Sequence, residues 1–168
     1  KNAANTNIIS HGGHLLALWE GGWPHKLDPN TLETLSRFDY AGELKNPFGF
    51  MDQILNPELA FSAHPKVDPK TGILYNFGLV FGTKNRLILY AVGTDGQMLA
   101  TRFFEMGALS FVHDFIITSD SKAIFFCSPV RFDITSMLLG LQSPAAGIRG
   151  DKDSTVKILI FDLNGPPG

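Results

Sequence analysis

Two histidines 49 residues apart are the residues best suited to chemistry in this chain, His64 in Ser62-Ala63-His64-Pro65 and His113 in Phe111-Val112-His113-Asp114-Phe115. Imidazole is the commonest side-chain metal ligand. One of the pair opens a turn-rich stretch and the other lies inside an apolar run, which points to a metal site assembled between neighbouring strands. Pro65 holds His64 to extended geometry, as a strand end requires; an ordinary loop histidine is the competing reading. Phe111, His113 and Phe115 alternate with Val112, Asp114 and Ile116, the pattern of a strand apolar on both faces and therefore buried. A buried neutral histidine satisfied by hydrogen bonds is the competing reading there. His11, His14 and His25 suit a metal less well. The glycines of His11-Gly12-Gly13-His14 leave the side-chain directions open, so these three read as solvated turn histidines. Cys127, within Ala123-Ile124-Phe125-Phe126-Cys127-Ser128, is the single cysteine. It reads as a buried free thiol and excludes a disulfide within the chain.

The elements that must position these groups are strands. The 168 residues suffice for one ordinary domain with a sizeable core, and fourteen Phe with seventeen Gly favour sheets and turns over long helices. A net charge of −2 without a Lys/Arg cluster gives no footprint for nucleic acid. No apolar run reaches the ~18 residues of a membrane-spanning helix. Lys1-Asn2-Ala3-Ala4-Asn5-Thr6-Asn7 is neither an initiator methionine nor a signal peptide, and the chain stops in a turn after the strand-like Val156 to Asp162. Both ends read as cut from something longer.

Asn5 to Ile9 and Leu15 to Glu20, separated by His11-Gly12-Gly13-His14, predict a hairpin. Lys26 to Thr34 contains a strand end, the turn Asp28-Pro29-Asn30-Thr31 and a new strand; Val67 to Tyr75 repeats the layout at Asp68-Pro69-Lys70-Thr71, 40 residues later. In each turn Asp caps through its side chain and Pro presets φ. Val92 to Met98 joins Leu87–Val92 to Leu99–Phe104, and Ser119-Asp120-Ser121 joins Phe111–Thr118 to Lys122–Cys127. Short antiparallel strands at this spacing predict an all-β chain. The 40-residue recurrence is near the period of a propeller blade, about 40–45 residues, which allows at most about four blades. The stretch Gly42 to Asn56 reads as irregular.

Several motifs together resemble the carotenoid cleavage oxygenase family, closest in flavour to its bacterial and plant apocarotenoid-cleaving members. They are Asn5-Thr6-Asn7, Gly12-Gly13, Leu15-Leu16-Ala17-Leu18-Trp19-Glu20-Gly21-Gly22, Leu27-Asp28-Pro29, Ala60-Phe61-Ser62-Ala63-His64-Pro65-Lys66-Val67-Asp68-Pro69 and Phe111-Val112-His113-Asp114-Phe115. The resemblance covers nearly the whole chain. It implies part of a seven-bladed β-propeller with short helical insertions, residues 1–168 supplying about two to three blades of a longer parent. It also implies a non-haem Fe(II) held by four histidines. His64 matches the first and His113 the second, and the other two are expected beyond residue 168. Glu20 falls where the family places a carboxylate that accepts a hydrogen bond from a ligand's outer nitrogen, its implied partner being His113. Such a carboxylate fixes the tautomer and raises ligand basicity; a surface carboxylate is the plainer reading of Glu20.

The implied reaction adds O2 across a double bond of a carotenoid or apocarotenoid, a lipophilic polyene, to give aldehyde or ketone products, with no acid–base residue assigned. With two of four ligands, the chain alone is expected to be inactive. The implied setting is a cytoplasmic or plastid-like soluble compartment with peripheral membrane contact. Ile134 to Leu141 reads as a short helix whose Met137, Leu138, Leu139 and Leu141 resemble part of a membrane-dipping, substrate-admitting patch; a helix packed on the propeller is the alternative. Two other functions remain open at this level: a truncated propeller that binds apolar ligands or partners without chemistry, and a retinoid isomerase variant.

Overall fold

Apolar runs punctuated by Gly, Pro and Asp fold into thirteen strands and one helix among the described residues. The computed structural model describes residues 4–81, 84–106, 112–128, 130–132, 148–150 and 155–165. The chain divides into two compact units, residues 1–107 with 166–168, and residues 108–165.

In the first unit, β1 (Asn7–His11), β2 (His14–Leu18), β3 (His25–Leu27) and β4 (Thr34–Arg37) form one antiparallel meander. The helix α1 (Phe50–Leu55) follows. Then β5 (Lys66–Val67), β6 (Leu74–Val80), β7 (Asn85–Val92) and β8 (Met98–Met106) form a second meander. Four antiparallel strands joined in chain order have the form of a propeller blade. Leu16 and Leu18 of β2, Leu74 of β6, and Ile88, Tyr90 and Val92 of β7 share one buried cluster with Phe61 and Ala63 from the segment before β5. A run of rings threads it. Phe38–Tyr40, Tyr40–Phe61 and Phe61–Tyr90 have centroids 4.6, 5.1 and 5.3 Å apart, within the range at which ring pairs add to simple burial.

The hairpin is present, with its strands shifted. Gly12 and Gly13, at φ +56° and +74°, make the whole two-residue turn. His11 and His14 are therefore the last and first strand residues, paired across the ladder. A Cβ on Gly12 would lie 2.2 Å from the Cα of Gly96, so the β1–β2 turn can pass the β7–β8 turn only as glycine.

The two Asp-Pro turns have the chemistry expected of them. Asp28 Oδ1 accepts from the N–H groups of Asn30 and Thr31 at 2.8 and 2.9 Å. Asp68 accepts from the Lys70 N–H at 2.9 Å and the Thr71 hydroxyl at 2.8 Å. These bonds, led by those from the Thr31 and Lys70 N–H groups, hold both carboxyls below the usual carboxylate range. Their 40-residue recurrence, however, is not a blade period. The first turn joins the third and fourth strands of its sheet, the second joins the first and second strands of its own. One turn chemistry serves two different connections.

The stretch expected to be irregular contains α1. Buried Asp52 pairs with Arg86 Nη1 of β7 at 3.3 Å, and Asn46 donates to the Asp52 and Asn56 carbonyls at 3.2 and 2.7 Å.

The second unit holds β9 (Phe115–Ile117), β10 (Lys122–Cys127), β11 (Val130–Phe132), β12 (Ile148–Gly150) and β13 (Lys157–Asp162). β10 is the centre of a three-stranded antiparallel sheet between β9 and β13, and β11 pairs with β12. Ala123, Phe125 and Cys127 are buried, and burial pushes the Cys127 thiol up. The strand expected from Phe111 begins at Phe115 among the described residues. The helix expected over Ile134 to Leu141, with Met137, Leu138, Leu139 and Leu141, lies outside the described residues. Among those described, no helix is long and apolar enough to cross a membrane.

Candidate metal centre

β2 ends at Leu18 and the chain turns through Trp19-Glu20-Gly21-Gly22. Beside this turn runs the extended segment Ala60 to Pro65, fastened group by group. The Phe61 N–H donates to the Gly22 carbonyl at 3.2 Å and the Ser62 N–H to the Phe77 carbonyl at 2.8 Å. Asn76 Nδ2 donates to the Ser62 carbonyl at 2.8 Å, Asn7 Nδ2 to the Ala63 carbonyl at 2.7 Å, and the Tyr90 hydroxyl to the Ala60 carbonyl at 2.9 Å. The segment presses so close to β6 that a Cβ on Gly78 would lie 2.1 Å from the Ala60 oxygen. Buried backbone groups must find partners, and here the side chains of Asn7, Asn76 and Tyr90 supply three of them.

This anchoring delivers His64 to Glu20. His64 Nε2 lies 3.1 Å from Glu20 Oε1, with the two side chains 26% and 32% exposed. The His64 N–H donates to Ser62 Oγ at 3.1 Å, and the same hydroxyl donates to Glu20 Oε2 at 3.4 Å. The two atoms form a close contact rather than an aligned hydrogen bond; with Nε2 unprotonated, imidazole and carboxylate can face one ion together. An imidazole with a carboxylate is a donor set that divalent first-row metals accept, so the residues present fit a metal of that class. The resemblance pairs Glu20 with His113; within its own unit the carboxylate pairs with His64.

His113 belongs to the second unit and precedes β9. It is exposed, as is Asp114, between buried Val112 and Phe115. The buried strand position expected for it is thus corrected, because the ladder begins only at Phe115. Asp114 Oδ1 accepts from the Phe115 N–H at 2.7 Å, and Phe115 stacks on Phe125 at 4.9 Å. His113, Asp114, Phe115, Ile116, Phe126 and Ser128 line a groove of about 480 Å³.

The other histidines are not solvated turn residues. His11 Nε2 lies 2.9 Å from the Gly72 carbonyl. His14 is half-buried against Phe38 at 4.6 Å, and burial, assisted by Lys26, lowers its pKa. His25 is half-buried in β3, paired with Ala17 and Arg37. Sequence reasoning missed Ser62 and Asn76 as supports of His64. A fully buried Asn in the apolar run of β6 is the one signal that could have found them.

Propeller-type blades carrying a histidine–carboxylate pair define an all-β scaffold with a candidate metal centre, and comparison with known proteins narrows the class. Residues 1–167 match the Retinal pigment epithelial membrane protein (RPE65) family. The chain is 31% identical to the apocarotenoid-15,15'-oxygenase of Synechocystis over 171 residues, covering 98% of the chain and 32% of that protein. It is 39% identical to the isoeugenol monooxygenase of Pseudomonas nitroreducens over 120 residues, 70% of the chain and 23% of that protein. The structure of cobalt-substituted Synechocystis apocarotenoid oxygenase superposes with a TM-score of 0.82 at 31% identity, covering 99% of the chain and 33% of that structure. The chain belongs to the Retinal pigment epithelial membrane protein family, that of the carotenoid cleavage oxygenases, and is part of a β-propeller. It spans about a third of the length of the Synechocystis relative.

Proposed function

We propose that the whole protein to which this chain belongs is a non-haem Fe(II) dioxygenase. It cleaves a conjugated double bond of a carotenoid or apocarotenoid into two carbonyl products. The observation that carries this reading is the His64–Glu20 pair, 3.1 Å apart, with His64 on the fastened segment and Glu20 in the turn after β2, in a chain that matches the family along its length. His64 and His113 are two of the metal ligands in this reading, and Glu20 orients and polarises imidazole from beside the metal. When bound, the iron supplies the redox chemistry by which both atoms of O2 enter the products, one on each carbon of the broken bond. The chain's residues hold and orient. The Asn7, Asn76 and Tyr90 side chains fix the backbone that carries His64, and Phe115, Ile116 and Phe126 give the groove beside His113 an apolar wall for a lipophilic substrate. The chain supplies about two to three of seven blades and two of four ligands, so it is inactive alone. The whole protein works in a cytoplasmic or plastid-like compartment and touches membrane peripherally through Met137, Leu138, Leu139 and Leu141.

The 39% identity to a protein named isoeugenol monooxygenase favours a second substrate, a phenylpropenoid alkene such as isoeugenol. The whole protein is offered an apocarotenal and isoeugenol, with O2 uptake and products followed. The expected result is apocarotenal cleavage with one O2 consumed per bond and no added reductant, abolished in His64→Ala and in His113→Ala. Cleavage of isoeugenol alone would move the function to the second substrate, and a requirement for external reductant would overturn the dioxygenase reading.

A further inference from the structure

We infer that Ser62 is a positioning residue of the candidate metal centre, setting the Glu20 carboxylate and the His64 backbone against each other; this rests on the reading of His64 as a ligand. Ser62 is 1% exposed. A serine hydroxyl offers one donor and two acceptor sites, and here it is shared between the two members of the pair. It accepts from the His64 N–H at 3.1 Å and donates to Glu20 Oε2 at 3.4 Å. The terminal torsion of a glutamate is broad and roughly two-fold, so a carboxylate held at one oxygen still swings. Ser62 supplies the hydrogen bond at Oε2, while Oε1 lies in contact with His64 Nε2 at 3.1 Å.

The backbone that carries the hydroxyl is in turn fixed by β6. The Ser62 N–H donates to the Phe77 carbonyl, and the Ser62 carbonyl accepts from Asn76, whose own Oδ1 accepts from the Phe77 N–H at 2.9 Å. The line of support therefore runs from a buried asparagine in the sheet, through Ser62, to the carboxylate and the imidazole. A serine with only a structural role would satisfy backbone groups and leave the carboxylate alone. Removing the Ser62 hydroxyl leaves the main-chain bonds at residue 62 in place and takes away only the contacts to Glu20 and His64.

The test uses the whole protein loaded with Co(II), whose visible absorption reports coordination geometry. Affinity is measured against a competing chelator and folding by thermal unfolding. Ser62→Ala is expected to weaken Co(II) binding by about tenfold, the lower end of the usual effect of removing a residue that supports a ligand. It should also change the visible bands while the unfolding midpoint stays near that of the unmodified protein. Ser62→Thr, which keeps the hydroxyl and suits extended backbone, restores both. If Ser62→Ala does not fold, Ser62→Cys, close in size with a weak S–H donor, takes its place with the same expected change. His64→Ala separates the two layers of the argument. Unchanged Co(II) binding in His64→Ala overturns the metal centre itself. Loss of Co(II) in His64→Ala with wild-type affinity and bands in Ser62→Ala overturns the role of Ser62.

Discussion

The segment that carries His64 is gripped by side chains from three strands, half-buried Asn7 of β1 and buried Asn76 of β6 and Tyr90 of β7. The segment that carries His113 is exposed at His113 and Asp114 and gains a ladder partner only at Phe115. Burial explains the contrast. Phe61 and Ala63 flank Ser62 inside the core cluster, so every polar group between them needs a partner within the protein. Around His113 solvent can serve that purpose. The backbone that carries His64 therefore has the less freedom of the two. Preorganisation of this kind depends on the shell behind the ligand as much as on the ligand.

The comparison can be broken most forcefully at Phe61. This fully buried ring touches Tyr40 and Tyr90, and Phe61→Ala in the whole protein is expected to cost about 3–5 kcal/mol in denaturant unfolding. A loss below about 1 kcal/mol would mean that the His64 segment is not core-anchored. A finer cut compares Asn76→Ala with Asp114→Ala. Asn76 is fully buried and serves both the Ser62 carbonyl and the Phe77 N–H, so its loss is expected to cost about 1–3 kcal/mol. Asp114 also bonds a backbone N–H, but in an exposed setting where water can replace it, and its unfolding midpoint should hardly move. Equal losses at the two positions would erase the distinction between the segments.

Much of this architecture was legible because its signals are local. A glycine pair between apolar runs makes a hairpin, and Asp-Pro-x-Thr makes a turn through bonds spanning two or three residues. The same locality misled in one respect. A turn carries no mark of which two strands it joins, so the recurrence of Asp28 at Asp68 could pass for a blade period. The helix α1 escaped notice because six residues are too few to establish a helical period, and its hold comes from Arg86, 34 residues downstream of Asp52. His113 looked buried because its neighbours alternate, but alternation does not fix where pairing begins. Glu20 stood out only through family resemblance. The roles of Ser62 and Asn76 are set by contacts across 42 and 14 residues, which no reading of neighbouring residues reveals.

The central claim, that His64 and Glu20 belong to a metal centre, is tested most directly by the iron content of the purified, iron-loaded whole protein, with His64→Ala set against His14→Ala. His14 is a half-buried histidine of β2 with its ring on Phe38, and it controls for the loss of an imidazole as such. Stoichiometric iron in the unmodified protein and in His14→Ala, with none retained by His64→Ala, is the predicted result. Full iron in His64→Ala would contradict it.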